Sequence, residues 1–302
     1  MAGSADSLKS IFFALGANFA IALAKTGGAV YTGSASMLAE AIHSYADCAN
    51  QALLLWGLKE ARRPASPDHP LGYGRAIYFW SFIVALMLFS MGGLFSIYEG
   101  VHKLSGNEPV RYAWVAMAIL GFGIAAESVS LWGALREINK DRGDRSLWRW
   151  FRSSRHSELL VILGEDVAAL GGLTVALACI AVSVVTGDPV WDAIGSIGVG
   201  LLLVAVALLV AKEVKALLVG QSAEPELVGR MRSHLSRQPE VLSVYSLLTQ
   251  QLGGDIMVAV KAKMRHAGSE SALLEAINRV EEAYRSKYPQ VRWLFFEPDH
   301  RD

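Results

Sequence analysis

Six apolar runs, each long enough to cross a bilayer, dominate this chain of 302 residues. They extend from Leu8 to Tyr31, Ser34 to Gly57, Ala76 to Leu104, Tyr112 to Leu135, Leu159 to Val185 and Trp191 to Leu218. About 20 apolar residues suffice to span ~30 Å of hydrocarbon. Within that layer no water satisfies the backbone, so such runs fold as helices. The composition agrees, with 53% hydrophobic and 19% charged residues, greasier than a typical soluble domain. The expected class is an α-helical membrane protein with six transmembrane helices over residues 1–218.

The net charge of zero says nothing about partners, but the placement of charge does. Lys59, Arg62, Arg63 and Arg75 follow the second run. Arg136, Lys140, Arg142, Arg145, Arg149, Arg152 and Arg155 follow the fourth. The turns after the first and fifth runs carry no Lys or Arg, and the third loop has only Lys103 and Arg111. The positive-inside rule puts the basic loops and both termini in the cytoplasm, which suits a plasma (inner) membrane. The first run exceeds a signal-peptide core and lacks a basic leader, so cleavage is not expected. Cys48 and Cys179 lie in different runs and form no disulfide pattern. Cys48 reads as a soft ligand or, better, as a small packing residue.

After Leu218 the pattern changes. SAEPELVGRMRSHLSRQ reads as an amphipathic helix, with Glu224 and Pro225 suiting its first turn. VLSVYSLLTQQ reads as a strand and GGD as a turn. DIMVAVKAKM alternates, placing Ile256, Val258, Val260, Ala262 and Met264 on one face. SESALLEAINRVEEAYRSKY returns to helical period, with Leu273, Ile277, Val280 and Tyr284 in one stripe. VRWLFFEPD closes as a strand. Residues 219–302 should therefore form a C-terminal α+β domain of order α-β-β-α-β. Its balanced charge excludes a nucleic-acid-binding patch.

Ionisable groups inside apolar runs carry the functional signal. His43 and Asp47 lie four residues apart in the second run, about one helical turn, so they share a face. Such groups at bilayer depth are expensive and functional by default. Imidazole plus carboxylate is also half of a tetrahedral metal site. Glu165 and Asp166 sit together in the fifth run. Ligand groups on two membrane helices point to a metal-ion pathway. Glu40 lies on the stripe of His43 and Asp47, either as an entry ligand or proton carrier, or solvated at the membrane surface. Asn50 either serves the same site or bonds a neighbouring helix. Glu127, mid-way along the fourth run, needs a partner; a structural pair with Lys25 is favoured over a role at the metal site or in proton relay. Gly121, Gly123, Gly171, Gly172, Gly195, Gly198 and Gly200 read as close-packing positions between helices. No GxxxxGK[ST] loop and no HExxH pair occurs, which argues against an ATP-driven pump and an intramembrane metalloprotease. No enzyme and no resident cofactor is expected.

Six runs followed by α-β-β-α-β, with LAEAIHSYADCANQ in the second run, HPLGYGR in the second loop and a closing FEPD, resemble the cation diffusion facilitator family of divalent-metal/proton antiporters. The segments ADCANQ and GEDVAALGG look most like the branch containing the mitochondrial zinc transporter of animals. The resemblance implies a transport site of two acceptors four apart on span two, here His43 and Asp47, and His and Asp four apart on span five. There the chain departs: Asp166 matches, but Ile162 stands four residues before it. Glu165, a water or a residue from another helix could complete the site; Glu165 is the nearest replacement, pointing about 100° away on an ideal helix. Gly164 could loosen the helix enough to bring it round. A loop metal site at Asp68 and His69 is not expected, because Tyr73 stands at the second histidine position of the family. The tail histidines His234, His266 and His300 are candidates for regulatory metal, but more simply solvated. The resemblance also implies a homodimer held through the tail.

Metal binding requires deprotonated ligands, so protons and metal compete for the same groups, with His43 the natural proton carrier. The expected function is export of a divalent cation from the cytoplasm in exchange for protons. Zinc stands first, with manganese, iron or cobalt favoured by the harder span-five carboxylates. The rival reading is a membrane metal sensor signalling through its cytoplasmic tail.

Overall fold

The computed structural model describes residues 35–104 and 113–301, and parts of a preceding helix (15–16, 18–24, 26–27 and 30), with side chains described from Ser44 onward in the first of these stretches. The long helices are α1 (Ala35–Ala61), α2 (Ala76–Leu104), α3 (Ala113–Arg142), α5 (Ser157–Thr186) and α6 (Val190–Val219); α4 (Leu147–Ser153) is a short helix between α3 and α5. Among the described residues, four helices are long and apolar enough to cross a membrane: α2, α3, α5 and α6. Thirty residues at about 1.5 Å each reach about 45 Å, more than the hydrocarbon thickness. The first apolar run lies largely outside the described residues.

The helices extend past the apolar runs where polar partners await them. α3 continues seven residues beyond Leu135, to Arg142, and its end is held by the basic loop. Trp150 of α4 is fully buried and donates its indole N–H to Asp141 Oδ2 at 2.9 Å. Ser146 caps α4 by accepting from Arg149 N at 3.2 Å. The basic loop after the fourth run is thus a built cap, not an open linker. α1 is tied to α2 by Trp80 Nε1, which donates to Glu60 Oε2 at 2.7 Å.

α5 and α6 pack along their glycines. A Cβ on Gly164 would meet Val210 Cγ2 at 2.5 Å, and one on Gly195 would meet Cys179 Cβ at 2.7 Å. Gly171, Gly172 and Gly198 face Leu202, Val199 and Val175. α2 meets α6 more closely still, and Gly200 would place a Cβ 2.7 Å from Gly93 O. Gly121 has nothing within 4 Å among the described residues, while Gly123 faces Leu173. Gly164 is likewise a packing residue. α5 runs as unbroken α-helix from Ser157 to Thr186, so it does not distort to redirect Glu165. The distortion is in α2, where Leu88–Leu94 forms a π-helical segment. Such segments are rare and frequent at functional sites.

Beyond α6 come α7 (Pro225–Leu235), β1 (Val241–Leu252), β2 (Asp255–Met264), α8 (Glu270–Lys287) and β3 (Val291–Pro298). β1 and β2 form a hairpin, and β3 returns parallel to β2 across α8, giving sheet order β1-β2-β3. Gly253 turns the hairpin with φ +68°. Ile256, Val258, Val260, Ala262 and Met264 all face the core, packing with Met231, Leu235, Val280 and Tyr284 of the two helices. The opposite sheet face is open, with Leu248 67% and Phe295 56% exposed.

The tail is fastened to the membrane helices by several contacts. Gly253 N donates to Tyr78 Oη at 2.9 Å. Arg155 Nε donates to Ser222 O at 2.7 Å, and Arg145 pairs with Glu224 at 3.0 Å. The Arg75 guanidinium donates to Leu218 O at the end of α6.

Candidate metal centre

Three helices bring the polar groups together. On α1, Asp47 and Asn50 are three residues apart and share a side. Asp47 is partly buried and Asn50 is 3% exposed. On α5, Glu165 and Asp166 are 8% and 5% exposed. As neighbours on an ideal helix they point about 100° apart, and their partners show it. Glu165 Oε1 accepts from Asn50 Nδ2 of α1 at 3.3 Å. Asp166 accepts from Ser130 Oγ of α3, at 3.1 Å to Oδ1 and 3.3 Å to Oδ2. α5 therefore lies between α1 and α3 with one carboxylate addressed to each. Asp47 acts electrostatically on both carboxylates, as does Glu127.

A small cavity opens on the α1 side, between Asp47 and Asn50 and the α2 residues Met87, Met91 and Gly92. Its α2 wall is in and beside the π-helical segment. Met87, Leu88 and Met91 give the cavity an apolar wall, and charges beside such a wall interact more strongly than in water.

Of the residues expected at the site, Asp47, Glu165 and Asp166 are thus gathered around the α1–α5–α3 contact. The His43 and Glu40 backbones lie on α1, but their side chains are outside the described residues, as is Lys25. The expected Lys25–Glu127 pair lies there too, and the described partners of Glu127 include the Glu165 and Asp166 charges. Among the described residues no three His, Cys, Asp or Glu side chains form a group that could hold a metal ion. A site built at this contact therefore needs the His43 face of α1, or donors of another type.

Ser130 is the residue that sequence reasoning missed. The signal was its position three residues after Glu127, on the same side of α3. Serine is too common in membrane helices for that to have carried weight. In the loop, His69 stacks on Tyr73 with ring centroids 4.3 Å apart, and Arg63 lies 4.4 Å over the Tyr73 ring. In the tail, His234 is wedged beside Tyr284 and Tyr288 and meets Gln238 Nε2 at 3.1 Å. Desolvation, then the Lys287 charge, lowers its pKa. Those contacts give His234 a packing role.

Comparison with known sequences puts this arrangement in context. The cation efflux transmembrane domain matches residues 11–219. The proton-coupled zinc antiporter SLC30A9, mitochondrial, of Xenopus laevis is 36% identical over 226 residues, covering 74% of this chain and 40% of that relative. The human protein of the same name is 36% identical over 227 residues, with the same coverage. Metal tolerance protein C4 of Arabidopsis thaliana is 30% identical over 253 residues, 82% of this chain and 54% of that protein. The chain thus spans about half or less of the length of these curated relatives.

Proposed function

The chain belongs to the cation efflux family, and from that membership and its buried carboxylates we propose that it carries divalent metal ions across a membrane in exchange for protons. The observation that carries this reading is the Glu165–Asp166 pair, buried on α5 and within electrostatic reach of Asp47 on α1. Carboxylates confined this closely repel one another and bind either protons or a cation. A divalent ion balances Asp47 and Asp166, and its departure leaves both to be reprotonated. Exchange of metal for protons then follows from competition for one set of oxygens.

The ligands assigned are His43, Asp47 and Asp166, with Glu165 the remaining acidic group at the site. Zinc is the first cargo, supported by the names of the animal relatives, and manganese, iron or cobalt are the alternatives favoured by oxygen ligands. Six spans, rather than the four described, fit the apolar runs and the domain match. Residues 1–218 are assigned to transport and 219–302 to dimerisation and regulation. The open sheet face bearing Leu248 and Phe295 supports a homodimer made through the tail, since exposed apolar faces of this kind mark contact surfaces. Both termini are placed in the cytoplasm by loop charge. The plasma (inner) membrane is the setting proposed from the sequence, and imaging of a tagged full-length chain separates it from the mitochondrial setting named for the animal relatives.

The deciding experiment is flux into proteoliposomes with a panel of divalent ions under an imposed pH gradient. Metal uptake that collapses the gradient is the expected result. Binding without flux would instead support a metal sensor.

A further inference from the structure

We propose that Asn50 supplies its side-chain carbonyl oxygen to the transported cation, and that Glu165 is the positioning residue that turns that oxygen toward the ion. The inference rests on the transport-site reading above and changes the donor set it assigns.

Asn50 is 3% exposed, yet its Oδ1 has no hydrogen-bond partner among the described residues. Buried amide oxygens rarely stay unpaired, and one that does points to a bound water or ion. Its other end is occupied: Nδ2 donates to Glu165 Oε1 at 3.3 Å. The NH₂ is thus the end of the amide that Glu165 engages, and the oxygen is the end it leaves to other partners. Asn50 also lines the small cavity that it shares with Asp47 and the π-helical segment of α2. Counting 100° per residue, His43, Asp47 and Asn50 fall within about 60° of one another on α1.

The donor chemistry favours the amide over Glu165 itself. Asp47 and Asp166 already neutralise a divalent ion. Glu165 Oε1 is already engaged by Asn50 Nδ2, whereas the amide oxygen has no partner among the described residues. A neutral amide oxygen fills the fourth position without adding charge. It also accounts for the missing histidine on span five, where Ile162 stands one turn before Asp166: the fourth donor comes from α1 instead. Glu165 keeps its place as the group that holds Asn50, in the way outer carboxylates orient metal ligands.

The test is cobalt(II) and zinc(II) binding to the purified full-length protein, read by calorimetry and by the cobalt ligand-field spectrum. Asn50→Leu, which removes the oxygen at similar volume, should weaken binding at least about tenfold and shift the cobalt bands. Glu165→Gln should keep the wild-type bands and lose less than about tenfold in affinity, since a glutamine oxygen still accepts from Asn50 and the orienting contact is retained. Asn50→Asp keeps an oxygen donor but must lose a proton to bind metal, so its affinity should depend more steeply on pH than wild type. Should Asn50→Leu fail to fold, Asn50→Asp decides: an unchanged pH dependence overturns the proposal. So does wild-type affinity with wild-type bands in Asn50→Leu, or a band shift in Glu165→Gln equal to that of Asn50→Leu. Asp47→Ala is measured alongside. If it binds cobalt as wild type does, the transport site itself is misassigned; if it loses binding while Asn50→Leu does not, Asn50 alone is excluded.

Discussion

At the scale of single residues, the candidate site depends on donors that hold carboxylates in place. Asp47→Ala and Asp166→Asn should reduce metal flux in proteoliposomes to the protein-free background while leaving the protein inserted; wild-type flux in either would remove that residue from the site. Ser130 orients both oxygens of Asp166. Ser130→Ala should weaken zinc affinity by about 10–100-fold, the usual cost of losing an outer partner, measured by calorimetric titration. A second residue-scale effect lies at the membrane edge. Partial desolvation lowers the His156 pKa, but the Glu158 carboxylate 3.5 Å away outweighs it, helped by Asp141 and Glu224, and lifts the imidazole to about 9. That folded value lies above the unfolded ~6.5. The pair's stabilisation is therefore complete below about pH 6.5 and fades as pH rises through about 9. Melting temperatures across that window should fall more steeply for the wild type than for His156→Gln; parallel curves would show that the pair does not matter.

At the scale of elements, the seam between α2 and α6 should tolerate no added volume. A Cβ on Gly200 would sit 2.7 Å from Gly93 O and 2.8 Å from Ile97 N. Backbone atoms cannot rotate away as side-chain ends can. Gly200→Ala should destabilise the protein by about 1–3 kcal/mol, the usual cost of overpacking, visible as a lower melting temperature in detergent. Gly121→Ala, with nothing within 4 Å among the described residues, should be neutral or slightly stabilising. A comparable loss from both would mean that α3 packs against something at Gly121. The same seam contains the π-helical segment that walls the cavity beside Asp47, so a change there should alter flux as well as stability.

At the scale of the whole molecule, the tail is joined to the membrane helices, and the homodimer proposed above would form through its open sheet face. Deleting the residues after Leu218 should sharply reduce the dimer captured by crosslinking; an unchanged dimer yield would assign the contact to the membrane helices. Tyr78→Phe removes the hydroxyl that accepts from Gly253 N and leaves that amide unpaired, a loss on the order of 1 kcal/mol. Hydrogen exchange in the β1–β2 turn should speed up in that variant while exchange in α8 stays unchanged.

What the sequence determined by itself is whatever hydrophobic period and local chemistry dictate. Apolar runs longer than the bilayer placed α2, α5 and α6 to within two residues, because lipid allows no alternative backbone state. Alternation in DIMVAVKAKM and the helical stripe of Ile277, Val280 and Tyr284 set the faces of β2 and α8 that are buried. The tertiary structure decided everything that depends on which helix meets which. Gly121 and Gly200 look alike in sequence, yet among the described residues one has no neighbour within 4 Å and the other meets a neighbouring backbone. Gly164 reads as a weak point in α5 and is instead the place where Val210 packs. Glu165 and Asp166 are adjacent in the chain, but a 100° step per residue sends one to Asn50 and the other to Ser130. Period states the direction in which a side chain leaves its own helix; only packing supplies the partner that it meets.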